Sequence, residues 1–170
     1  MADKTIQLKR GLKQNLPQHG IEGMPYFTMD TGEIYVGLGE TEDLKKIAKQ
    51  EKVITFVCKL GKSGQFGPII KFPYKGKIIS ASVDCEIASA SETILNIDKI
   101  SELDYKSEID NWSSILSTGL IIPSNKKFDN GTYVIQDNVV NKNDYFRLNM
   151  TQYSDIQNMV VQLTIELIDI

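Results

Sequence analysis

From about residue 50 onward, apolar and polar side chains alternate with a period of two, and that pattern admits little besides half-buried β-strands. Ile54, Phe56, Cys58 and Leu60 face one way, with Thr55 and Lys59 facing the other. Ile79, Ala81, Val83, Cys85 and Ile87 alternate with Ser80, Ser82, Asp84 and Glu86, and Met159, Val161, Leu163, Ile165 and Leu167 with Gln162, Thr164 and Glu166. Shorter runs at Thr93–Ile97, Tyr133–Ile135 and Tyr145–Met150 add further strands, separated by turn-forming Lys75-Gly76-Lys77, Asp129-Asn130-Gly131 and Asn141–Asp144. Seven or eight such strands without a long helix predict two antiparallel sheets packed face to face, a jelly-roll-like β-sandwich over residues 51–170. A segment of that length can bury a core of its own.

The first fifty residues follow a different pattern. Thr5–Lys9 alternates like one short strand, and the glycines and prolines at 11, 17, 20, 23 and 25 mark loop. Tyr26–Met29 and Glu33–Val36 read as a hairpin turning at Asp30-Thr31-Gly32. A short helix is predicted over Thr41–Gln50, because Thr41 can cap it, acids precede lysines, and Leu44, Ile47 and Ala48 form an apolar stripe. Ten residues do not hold a helix in water unaided, so Leu44 and Ile47 are expected to lean on the hairpin or on neighbouring copies of the chain. The expected organisation is therefore mainly β: a hairpin-plus-short-helix module in residues 1–50, then the sandwich.

Charge and composition narrow the function. Nineteen basic against 22 acidic residues give a net charge of −3, without the basic stripe that nucleic-acid binding requires. No apolar run approaches the roughly 18 residues of a membrane span, and Met1–Thr5 lacks the layout of a signal peptide. Synthesis and folding in a cytoplasm are expected. Cys58 and Cys85 lie far apart within apolar stretches; free buried thiols are expected, with a disulfide as the alternative.

The ordered series Ile6-Gln7-Leu8-Lys9-Arg10-Gly11, Asn15-Leu16-Pro17 and Glu22-Gly23-Met24-Pro25-Tyr26-Phe27-Thr28-Met29-Asp30-Thr31-Gly32-Glu33-Ile34-Tyr35-Val36-Gly37 resembles the N-terminal attachment module of bacteriophage fibre proteins of head-fibre, tail-fibre and baseplate type. It departs from them at Glu22–Pro25, where the acid precedes the glycine and Met24 holds the usual acidic position. The rest of the chain is more loosely similar to the β-sandwiches that end many small phage structural proteins, through Phe66–Pro73, Ser114–Thr118, Asn143–Leu148 and the closing Val161–Leu167. The resemblance implies a homotrimer in the virion, assembled in a bacterial host cytoplasm, with phage capsid or tail proteins as partners. It also implies attachment through Ile6, Leu8, Lys9, Arg10, Tyr26, Phe27, Ile34 and Tyr35.

Candidate chemistry is sparse. Asp30-Thr31-Gly32 spells the aspartic-protease tripeptide, but it occurs once and Glu33 follows it; a turn in which Asp30 caps the backbone and Gly32 takes positive φ is the simpler reading. Asp84 and Glu86 share one face of a strand, at a spacing that suits a cation or a glycosidase pair as well as a solvated surface. Glu102, Asp104, Glu108 and Asp110 form an acidic segment without the ordered spacing of a calcium loop, expected to be exposed loop or strand edge. His19, the single histidine, sits in a loop with no preorganised partner in view. Lys9, Arg10 and Lys13 are the one basic cluster, read first as a solvated patch, with docking on an acidic virion surface as the alternative. Trp112, outside any clean strand, is the candidate for stacking on a ligand such as a host glycan. No metal, cofactor or catalytic set is expected. The function expected is that of a non-enzymatic virion protein, a head fibre or capsid decoration protein, with a short tail fibre or a receptor- or carbohydrate-binding module as the alternative.

Overall fold

A computed structural model describes residues 9–47, 50–60 and 63–168. The chain divides into two compact units, one within its first fifty residues and one formed by Glu51–Ile168.

In the first unit the strands are β1 (Lys9–Gly11), β2 (His19–Gly20), β3 (Pro25–Thr28), β4 (Ile34–Val36), β5 (Gly39–Asp43) and β6 (Lys45–Lys46). They form a sheet of order β1-β3-β4-β6 and a separate β2-β5 pair. β1 runs parallel to β3, while β3 and β4 make the hairpin expected from the sequence. Gly32 takes φ 65° at its turn, where its amide donates to the Thr28 carbonyl. Asp30 caps a different backbone: its carboxylate accepts from the Lys13 amide at 2.9 Å. The short helix expected over Thr41–Gln50 is not formed in its described part, which is β5 and β6 instead. Strand pairing satisfies amides that so short a helix leaves marginal: Leu44 donates to Gln18 and Ile47 to Ile34. Two glycines set the approach of the loops. A Cβ on Gly37 would lie 2.1 Å from the Ile21 carbonyl oxygen, and one on Gly20 would lie 2.4 Å from Leu44.

The second unit begins with β7 (Glu51–Leu60), β8 (Gly64–Lys71), β9 (Gly76–Ile87) and β10 (Thr93–Ile100). After α1 (Glu102–Lys106) come β11 (Ser113–Ser114), β12 (Leu120–Ile122), β13 (Val139–Val140), β14 (Tyr145–Gln152) and β15 (Gln157–Leu167). One sheet has the order β13-β9-β15-β7 and the other β11-β10-β14-β8, with β12 also on β10. First strand thus pairs with last, second with second-last, and so inward: β7 with β15, β8 with β14, β9 with β13, β10 with β12. That is the wiring of a jelly roll, a long antiparallel ribbon folded over into two sheets.

One core serves both sheets. Leu95, Ile97, Phe146, Leu148 and Met150 come from one, and Ile54, Phe56, Val83, Met159, Val161, Leu163 and Ile165 from the other. Each such side chain, fully buried, contributes roughly 1.5–3 kcal/mol. The alternation in β9 slips once. Ile78 is buried and Ile79 exposed, so the expected inward run from Ile79 holds only from Ala81 to Cys85, and Ile87 is exposed as well. The cause is a β-bulge: Thr164 pairs with Ser80 but Ile165 with Ile78, so the strand gains a residue and changes phase. Tyr133–Ile135 is not a strand; Ile135 makes an isolated bridge to Leu116, and the Tyr133 hydroxyl accepts from the Ala81 amide. The acidic segment read as loop or edge begins as α1, capped by the Ser101 hydroxyl on the Asp104 amide.

Candidate functional site

The residues of the first unit singled out for attachment fall on two cross-strand rows of a single sheet. Lys9, Tyr26, Tyr35 and Lys46 stand opposite one another along β1, β3, β4 and β6. Arg10, Phe27 and Ile34 form the neighbouring row, and Ile47 extends it by donating its amide to the Ile34 carbonyl at 2.8 Å. Because neighbouring rows point to opposite faces, the sheet has two chemically distinct sides. Ile6 and Leu8 lie outside the described residues.

The first side is an internal polar network centred on Glu33. Its carboxylate receives Lys46 Nζ at 2.6 Å, Lys13 Nζ at 2.9 Å, the Thr31 hydroxyl at 2.9 Å and the Tyr35 hydroxyl at 2.9 Å. Burial alone would raise the pKa of Glu33, but these four donors, Lys46 foremost, hold it down to about 2. The same contact raises the Lys13 ammonium, with the hydrogen bond to Glu33 the largest cause. The Thr28 hydroxyl joins the network through Thr31 and the Glu33 amide. Tyr26, buried on this side, accepts from the Ile21 amide, and Lys9 Nζ lies 5.6 Å from the centre of its ring. Lys13 and Tyr35 are therefore engaged within the unit.

The opposite side is apolar and open. Ile34 is 39% and Ile47 57% exposed, Phe27 is half-buried, and Arg10 at the β1 end is exposed. Lys9, Arg10, Tyr26 and Phe27 also line, with Leu16 and Pro17, a groove of about 220 Å³. Leu44, paired with Ile47 in the sequence reading as an oligomer contact, packs on Gly20 instead, while Ile47 joins the exposed row. His19 stands opposite Asp43 across the β2-β5 pair, 3.5 Å from its carboxylate.

In the second unit, Trp112 has its ring covered by Arg147, whose guanidinium carbon lies 4.0 Å from the ring centroid. Tyr105 meets it edge-on at 6.1 Å and itself stacks on Tyr145 at 4.0 Å. Trp112 thus holds the α1 segment against β14, with one ring face occupied by a cation. Arg147 also reaches Asp98 on β10 at 3.3 Å, and both side chains are nearly buried. Burial raises the Asp98 pKa against the pull of Arg147. Glu102 is tied to Lys71 and Lys106 and accepts from Asn143, contacts that hold its pKa at about 2. Asp84 and Glu86 border an open depression of about 470 Å³ with Val57, Val160 and Asn158, whose amide donates to Glu86. No group of three or more potential metal-ligating side chains occurs among the described residues.

Glu33, Arg147 and Asp98 are the residues that sequence reasoning passed over. Each acts through partners distant in sequence, and only the charged neighbour of an aromatic or a turn hinted at them. No protein-family model matches the chain, and no curated protein matches it.

Proposed function

We propose that the chain is a non-enzymatic structural protein of a bacteriophage particle, a head fibre or capsid decoration protein that acts by binding. The first unit anchors it to phage capsid or tail proteins, and the jelly roll is displayed outward; a homotrimer in the virion is part of this reading. One observation carries it: the ordered series from Ile6 to Gly37, with its resemblance to phage-fibre attachment modules. The geometry adds a surface suited to the task. Arg10, Phe27, Ile34 and Ile47 form an apolar row ending in a cation, the composition expected of a face that docks on an acidic, partly apolar partner.

The test is complementation of particles that lack the protein, using full-length chains. Ile34→Asp and Ile47→Asp alter only exposed side chains and are expected to abolish incorporation while the protein stays folded by circular dichroism. Normal incorporation of the double variant would refute anchoring through this face.

A further inference from the structure

Among the described residues, three of the four sheet edges in the jelly roll are covered by further chain or broken by a bulge and a proline. The outer edge of β9 is covered from Gly76 to Cys85. β13 pairs with its start, Ile78 donates to the Asn138 carbonyl, Ala81 to the Tyr133 hydroxyl, Val83 to the Asp129 carboxylate and Cys85 to the Lys127 carbonyl. The outer edge of β10 is paired with β11 and β12. On β8 the register slips between its pairs with Phe146 and Leu148, around Gly67 at φ 76° and Pro68, which has no amide hydrogen. Bulges and prolines of this kind are how sheets stop further strands from adding.

β7 has neither bulge nor proline, and its guard is the charge of Glu51, Lys52 and Lys59. It runs ten residues, contains neither glycine nor proline, and pairs with β15 on one side only among the described residues. Its solvent face, Glu51, Val53, Thr55, Val57 and Lys59, includes two β-branched side chains left 52% and 69% exposed at Val53 and Val57. An open strand of this length is a template for another strand.

The side chains indicate which strand. In an antiparallel pair of two β7 strands, residues directly opposite share a face, so the two cores stay on the same side only if odd residues meet odd ones. Among such registers, the one centred on Thr55 sets Glu51 against Lys59, Val53 against Val57 and Thr55 against itself, each pair occurring twice across the two-fold axis except the central one. On the core face it sets Ile54 against Phe56 and Lys52 against Cys58, with no like charges opposed. Moving the centre to Ile54 or Phe56 separates Glu51 from Lys59 and places Glu51 or Lys59 against valine. Opposite charges and paired β-branched residues are the cross-strand combinations that stabilise a sheet.

We infer that the β7 edge is a two-fold interface on which a second copy of this chain adds its own β7 antiparallel, centred on Thr55, to make one eight-stranded sheet across two molecules. The inference does not rest on the phage reading. A two-fold contact turns monomers into dimers, and trimers into paired trimers where its axis crosses the three-fold at a right angle.

The test is the solution mass of the full chain by light scattering on a sizing column. An even multiple of the 19.1 kDa chain is expected. Lys59→Glu, which sets a carboxylate opposite Glu51, is expected to halve it, and the exchange Glu51→Lys with Lys59→Glu to restore it. Independently, Thr55→Cys is expected to form an intermolecular disulfide under mild oxidation, since opposed residues bring their Cα atoms within the roughly 4.4–6.8 Å a disulfide spans. The exposed Ser107→Cys serves as a control that stays unlinked. A monomer, a lone trimer, or a mass indifferent to Lys59→Glu would overturn the inference, as would absence of the Thr55→Cys crosslink.

Discussion

Replacing Glu33 by Gln removes one negative charge from the centre of the first unit and one of its two acceptor oxygens: the amide oxygen can replace either the oxygen that takes Lys46 or the one that takes Lys13, Thr31 and Tyr35, and an NH2 group stands in place of the other. A fall in pKa from the ordinary 4.5 to about 2 sets an upper bound of about 3 kcal/mol on what ionisation of this carboxylate adds to stability. The Lys13 side chain is 50% exposed, so solvent and salt screen its share, and a loss of about 1–2 kcal/mol is expected at pH 7. Because folding depresses this pKa, the contribution is fully present above about 4.5 and is lost as the pH falls towards about 2. The assay is native-state hydrogen exchange on the full chain, with protection factors read at Thr28, Gly32 and Gly37, whose amides are bonded within the first unit. Glu33→Gln is expected to raise the open fraction there roughly 5- to 30-fold at pH 7, with the amides of β15 unaffected. Wild-type protection at the same three amides should fall between pH 4.5 and 2, and that of the variant should not. Unchanged protection in Glu33→Gln, or a flat wild-type profile over this window, would refute the reasoning.

Three further outcomes follow from contacts described above. Gly37→Ala forces a methyl group onto the Ile21 carbonyl and is expected to cost the first unit its protection while β15 retains its own. Arg147→Met leaves the buried Asp98 carboxylate with Asn149 but without its cation; a loss of about 3 kcal/mol in denaturant unfolding is expected, together with a red-shifted Trp112 emission as the α1 segment loosens. Cys58 and Cys85 both pair with Met159, on strands two places apart, and so lie roughly 9.5 Å from each other, beyond disulfide reach. Both thiols, raised in pKa mainly by burial, are expected to resist alkylation until the protein unfolds and to form no bond under oxidant.

The long strands β7, β9, β10, β14 and β15 were legible because each buries one face, and a period of two records that directly; β8, which buries no side chain, and the short β11, β12 and β13 leave no such record, while Tyr133–Ile135 alternates without forming a strand. The wiring of the strands was not legible, since alternation at Val161 and Val83 assigns a side and says nothing of a neighbour. The slip at Ile78 and Ile79 was equally silent, because both residues are isoleucine and only the bulge opposite Thr164 distinguishes them. Over Thr41–Ile47 the apolar stripe and the order of charges satisfied a helix locally, yet the amides of Leu44 and Ile47 found partners at Gln18 and Ile34. At the candidate site, Arg10, Phe27 and Ile34 could be picked out from the motif, and Ile47 reached the same row by a different route from the one expected. Glu33 stayed hidden because its value depends on Lys13 and Lys46, and Trp112 looked available because nothing near it in sequence announces Arg147.

The position of β15 has a consequence for the timing of folding. It lies in the middle of its sheet, bonded to β7 on one side and β9 on the other, and among the described residues these two strands do not pair with each other. A ribosome delivers β7 and β9 long before Gln157–Leu167 emerges. During that interval both strands hold apolar rows and unpaired backbone in an unfinished sheet, and the nascent chain cannot commit to its final form. The pairings that complete this sheet therefore form late, and slowly, as those of folds dominated by distant contacts do. An interruption of synthesis before β15 leaves two sticky strands in place of a domain.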